Sequence, residues 1–135
     1  MSLVNLIIQS QQFINIQQMV VAQDAAGGQA NTWQTVTVNN LTAIPVIIRA
    51  PDAATVVAFE QRGVKVNCKV LFYFDVDASL RAMSPSVPVL SDAYRFQEIG
   101  TGYIHIIEGT GILNSLIMSA TPVYRADTFR RQAPT

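Results

Sequence analysis

Apolar and polar positions alternate most cleanly over residues 64–74. Val64, Val66, Cys68, Val70, Phe72 and Phe74 fall on one parity, and Lys65, Asn67, Lys69, Leu71 and Tyr73 on the other. A period of two sends successive side chains to opposite faces of a pleated strand, so the run predicts one long strand with an apolar face. Burying each Val or Phe on that face contributes about 1.5–3 kcal/mol, which makes this strand the expected anchor of a core. Leu71 and Tyr73 turn its far end apolar on both faces. That end is therefore either sandwiched inside the domain or covered by another subunit.

Weaker patterns flank this strand. Residues 13–21 mix Gln with Ile, Met and Val, and Asp24, Gly27, Gly28 and Asn31 then read as a turn into a returning strand over 33–38. There Trp33, Thr35 and Thr37 share one face and Gln34, Val36 and Val38 the other, with β-favouring Thr and Val. A further strand is expected over 42–49, with Ile44, Val46 and Ile48 on one side. Pro45 places it at an edge, because proline has no ladder donor. Residues 52–62, between Pro51 and Gly63, read either as one short helix ended by the glycine or as a mobile loop. Pro85, Pro88 and several Ser and Ala over 75–91 predict a long irregular connection. Residues 94–99 and 103–108 around Gly100, Thr101 and Gly102 predict a tight hairpin. Gly109 and Gly111 precede a last apolar stretch, 116–124, whose Pro122 again implies an edge.

These elements predict a mainly β fold: a small antiparallel β-barrel or sandwich of about six to seven strands, with long loops and at most one short helix. One domain accounts for residues 1–135, with 1–12 as an N-terminal segment and 126–135 as a C-terminal tail.

Composition sharpens the picture. Half of the 135 residues are hydrophobic and 13% are charged, which is lean for a small monomer's surface and implies that a neighbour covers part of it. Nine basic and nine acidic residues cancel, so no global field draws the chain to nucleic acid or anionic lipid. Only Asp24 and Arg49 are charged among the first fifty residues, whereas Arg125, Arg130 and Arg131 crowd the end. That basic end reads as a frayed, solvated terminus or as a contact with a partner or phosphate. Cys68 is the only cysteine, which excludes an internal disulfide and a thiolate zinc site. No signal-peptide pattern or membrane-span-length run is read in the chain, so a soluble, cytoplasmically made protein is expected.

The chain offers little chemistry. His105 is its only histidine, and a Ser, His and acid triad would require folding to bring a Ser and a carboxylate to it. Asp75 and Asp77, the one close acidic pair, are expected to cap or solvate a strand exit. The glycines at 27 and 28 and at 100 and 102 match neither a Walker loop nor a dinucleotide fingerprint. Phe72 and Phe74 lie opposite Tyr73, Lys65 and Lys69, which interrupts any base-stacking platform. No catalytic, cofactor or metal residue is assigned.

Taken in order, the layout resembles the head-to-tail joining proteins of tailed bacteriophages, the stopper or head-completion family. The resemblance rests on Asp24, Gly27, Gly28 and Trp33 in the first hairpin; on Glu60, Arg62 and Gly63 before the central strand; on the strand itself; and on Asp92, Tyr94 and Phe96 entering the next hairpin. It implies a non-enzymatic β-barrel in the virion neck, forming a ring of identical copies between the portal or adaptor protein and the tail protein. Packaged DNA would pass through that ring without sequence-specific binding, and no membrane or cofactor is involved. The resemblance also implies a channel-facing loop before the central strand, here about 53–62. Residues expected to meet other subunits or partners are Val56, Val57, Phe59, Arg62, Leu71, Tyr73, Val87, Leu90, Phe129, Arg130 and Arg131. Competing readings are another ring component of the particle (adaptor, tail terminator or tail-tube protein), a small-ligand-binding barrel with an internal apolar pocket, and an enzyme built on His105.

Overall fold

A computed structural model describes residues 3–23, 25–85, 93–108, 113–115 and 123–132. Twelve elements follow in order: α1 (Leu3–Ile8), β1 (Phe13–Gln23), β2 (Gln29–Val36), β3 (Ile44–Pro45), β4 (Ile47–Arg49), α2 (Ala53–Glu60), β5 (Cys68–Phe72), α3 (Val76–Met83), β6 (Tyr94–Glu98), β7 (Ile104–Ile107), β8 (Leu113–Ser115) and β9 (Val123–Arg131). The fold is mainly β, and every strand pairing is antiparallel.

Strand order along the sheet is β2-β1-β6-β7-β9-β5-β4, with β3 on β1 and β8 on β9. Residues 44–49 give the wall its barrel-like curl. Ile44 and Pro45 pair with β1, whereas Ile47, Ile48 and Arg49 pair with β5 at the other end of the path. The ladder breaks at Val46, which donates its N–H to the Gln12 carbonyl.

Alternation places the core where the sequence predicted it. Val66, Cys68, Val70 and Phe72 are buried, as are Tyr94 and Phe96 on β6 and Ile14 and Ile16 on β1. Phe72 meets Phe96 edge-to-face, with ring centroids 5.3 Å apart. The central strand is nevertheless five residues long, not eleven. Its lower end is replaced by a side-chain rung: the Asn67 amide accepts from the Arg130 N–H at 2.6 Å and donates to the Arg130 carbonyl at 3.0 Å. At the upper end Tyr73 and Phe74 bend away into α3.

Among the described residues, three short helices form where at most one was expected. The irregular connection predicted over 75–91 holds α3, because Val76 and Leu80, four residues apart, fall on one helical face and bury fully. Asp75 caps it, its carboxylate accepting from the Ala78 N–H at 3.0 Å, and Arg81 bonds Asp77 one turn back. Replacing Asp75 with Ala is expected to cost about 1 kcal/mol, measured as a lower urea midpoint. Leu90 and Val87 of that connection lie outside the described residues, as do residues 116–122 and the turn residue Asp24.

The N-terminal segment corrects a second expectation. Leu71 was assigned to a contact with another subunit, but it is buried by this chain's own α1, in a small cluster of Ile7, Ile47, Leu71 and Val123 with Tyr73 packed beside it. A third correction concerns the basic end. Arg125, Arg130 and Arg131 belong to β9, which pairs with β5, β7 and β8, so they are not a frayed tail.

Candidate functional site

Two features concentrate side chains with more than a packing role: a polar network at one end of the core, and the segment linking β4 to β5.

The network is built on three neighbouring strands. Glu98 ends β6, His105 stands on β7, and Thr128 and Arg130 share a face of β9. Register sets His105 opposite both Phe96 and Arg130. The Glu98 carboxylate accepts from Arg130 Nε at 2.6 Å and Nη2 at 3.1 Å, and from the Thr101 hydroxyl at 3.1 Å in the hairpin turn. His105 Nε2 lies 2.7 Å from the same carboxylate, and Nδ1 lies 2.8 Å from the Thr128 hydroxyl. An ionised carboxylate only accepts, so Nε2 carries the proton and Nδ1 accepts from Thr128. Arg130 also stacks on Tyr103, its guanidinium carbon 4.2 Å from the ring centroid.

Burial sets the charges. It pushes the Glu98 carboxyl upward, but the hydrogen bonds from Arg130 and His105 outweigh it and hold Glu98 below the usual carboxylate range. For His105 burial wins over the attraction of Glu98 and holds the imidazole below its ordinary value, so it is neutral near pH 7. Arg130 is raised, chiefly by its hydrogen bond to Glu98.

Hydroxyl, imidazole and carboxylate thus line up as in a catalytic triad, with Thr128 in the nucleophile's place. Access decides against that role: His105 and Thr128 are both 0% exposed, and Arg130 already occupies the carboxylate. The network instead fastens β6, β7 and β9 together. Cys68, paired with Thr128 on the next strand, has its thiol pushed up by burial and is a poor nucleophile.

Acid lability follows. The unfolded imidazole takes up protons near pH 6.5 and the folded one only lower, so stability falls as pH drops below 6.5. Glu98 acts in the same direction, its contribution being lost as pH falls below 4.5. Asp127, raised by burial, acts oppositely: the folded state binds its proton more readily, which favours folding as pH falls. Glu108, also raised by burial, acts with Asp127, so the histidine's share is read from the difference between the native chain and His105→Gln just below pH 6.5. Melting temperature is expected to decline there in the native chain and to stay flatter in His105→Gln.

The second feature is α2. Its start is tied to the outer face of the sheet by Asp52, which lies 3.3 Å from Lys69 and 3.7 Å from Arg125. Its end is tied by Phe59, the one buried residue of the helix, over which Arg62 stacks at 4.8 Å. Between these anchors Ala53, Ala54, Val57 and Ala58 stand in solvent, Val57 at 51% exposure. Apolar residues surround this helix, so no single face satisfies them all. Beside its end, Gly63, Val64, Lys65, Glu108 and Phe129 line a surface cavity of about 280 Å³.

The residues expected to meet partners therefore divide. Val57, Arg62 and Arg131 are exposed, and Val56, Tyr73, Phe129 and Arg130 are half-buried. Phe59 and Leu71 are buried within the chain and are not free for a partner. Sequence reasoning missed the Glu98, Thr128 and Arg130 network, whose members are far apart in sequence. Among the described residues, no group of three His, Cys, Asp or Glu is placed to hold a metal, and no helix is long and apolar enough to cross a membrane. No family model matches the chain, and no curated protein matches it at a significant level.

Proposed function

We propose that this chain is a structural subunit of the head-to-tail connector of a tailed phage, a stopper that assembles as a ring in the virion neck. Its partners are copies of itself, the portal or adaptor protein above and the tail protein below, with packaged DNA passing through the channel. The observation that carries this reading is α2: an exposed, apolar helix, tethered at both ends, at the position where the resemblance puts a channel-facing loop. Leaving such a helix in water is costly, and an obligate assembly is what covers apolar surface of this kind.

The ligand-binding alternative needs space inside the barrel. Ile14, Ile16, Phe72, Leu80 and Phe96 meet there with no exposure, which fits a packed interior better than a pocket.

Light scattering coupled to size exclusion tests the proposal. Mixed with the portal and tail-completion proteins of its own genome, the purified chain is expected to give a ring-sized mass. Replacing Val57 with Glu is expected to abolish that mass while leaving the monomer's melting temperature unchanged. A monomer indifferent to all of those proteins overturns the reading.

A further inference from the structure

The strand path has two ends, and they are finished differently. At β4 the edge is closed by the chain itself. The Val46 N–H donates to the Gln12 carbonyl, the Ile48 N–H to the Gln12 side chain at 2.9 Å, and the Ser10 hydroxyl to the Val46 carbonyl at 2.6 Å. At β2 nothing comparable occurs. Its eight residues pair with β1 on one side, and no described residue pairs with them on the other.

That edge also projects. Gln18 is the last β1 residue in register with β6, and beyond it Val20, Val21, Ala22 and Gln23 pair, among the described residues, with β2 alone. Val21, on this ribbon, is 55% exposed. Monomeric proteins protect such an edge with charge, proline or a bulge. Gln29–Val36 contains no charged residue and no proline, and its register with β1 runs through eight consecutive pairs without a bulge.

The same features choose the occupant. In a two-fold antiparallel pair, a charge on the strand meets its own copy close by and repels it. An uncharged strand escapes that penalty. A partner recognised by charge, by contrast, finds little to read on the strand itself, because Asp24 is the only charged residue between positions 9 and 48, and Arg95 of β6, which stacks on Trp33 at 4.3 Å, is held back by its 2.7 Å bond to the Gln17 side chain. We propose that β2 pairs antiparallel with β2 of a second copy of this chain, joining two sheets across a two-fold axis centred near Trp33. The pairing is independent of the connector reading. Ring closure needs head-to-tail contacts between different surfaces, which a two-fold contact does not supply.

Centring on Trp33 sets Thr32 opposite Gln34 of the second copy, and both positions are exposed, so they accept charge without disturbing the core. Sedimentation of the full chain over a wide concentration range is expected to show a monomer–dimer equilibrium. The double variant Thr32→Lys, Gln34→Lys is expected to weaken the dimer by about tenfold or more, with an unchanged melting temperature. Mixing it with Thr32→Glu, Gln34→Glu is expected to restore a dimer through opposite charges. A native chain that is monomeric throughout overturns the proposal. So does an oligomer, ring-sized or smaller, whose mass ignores the lysine pair. Failure to join portal or tail proteins would overturn the connector reading and leave this result standing.

Discussion

Replacing Phe96 with Ala is expected to destabilise the domain by about 3–5 kcal/mol, enough to unfold much of a small domain whose total stability is about 5–15 kcal/mol. The ring is fully buried and lies edge-to-face against Phe72, with Ile16 and His105 opposite it on the two neighbouring strands. Its loss opens a cavity that β-sheet backbone on both sides prevents from collapsing. Urea unfolding followed by far-ultraviolet dichroism measures the change. Phe96→Leu, which keeps most of the volume, is expected to lose less than half as much. Equal losses would show that the ring's shape, more than the filled volume, is what the core requires.

The second large effect is expected at Glu98. Glu98→Ala leaves Arg130 without its carboxylate and His105 Nε2 without an acceptor, beneath a core that admits no water at the imidazole. Breaking a fully buried pair costs about 3–5 kcal/mol; the Arg130 side chain is 35% exposed and can turn to solvent, so about 2–3 kcal/mol is expected here. Glu98→Gln is expected to lose less, because its carbonyl oxygen can still accept from His105 Nε2 and Arg130 Nε while its NH2 group can donate to the Thr101 hydroxyl and opposes only Arg130 Nη2. Nitrogen chemical shifts of His105 report the local event: the protonated-Nε2 tautomer of the native chain is expected to give way to a mixture in Glu98→Ala.

Strands were legible where one face is buried. Val66 to Phe72 and Tyr94 to Glu98 alternate because the barrel wall has an inside and an outside, and Gly100, Thr101 and Gly102 mark the turn between β6 and β7 through backbone conformations open to glycine. The helices were less legible. α3 shows just two apolar positions on its inner face, and the nearby prolines masked it, although Pro85 follows directly after its last turn. Of the assembly surface, α2 was readable as a helix or loop before Gly63, whereas the cover over Leu71 was not, because a six-residue helix far away in sequence supplies it. The polar network was invisible for the same reason: Glu98 and His105 belong to one hairpin, but Thr128 and Arg130 arrive from a strand that folding alone brings beside them.

The position of β9 has a consequence for how the protein is made. This last strand of the described chain is the shared neighbour of β5, β7 and β8, so, apart from the 44–49 segment, the described sheet is joined through residues 123–131. During synthesis, everything before it emerges as two pieces, β1 with β2, β3 and β6–β7 on one side and β4–β5 on the other, linked through the short 44–49 segment. Closure between distant residues is the slow step in such topologies. A ribosome stalled before residue 123, or a message truncated there, therefore leaves a chain with two raw strand edges exposed to every neighbour in the cell, whereas completing nine more residues seals both at once.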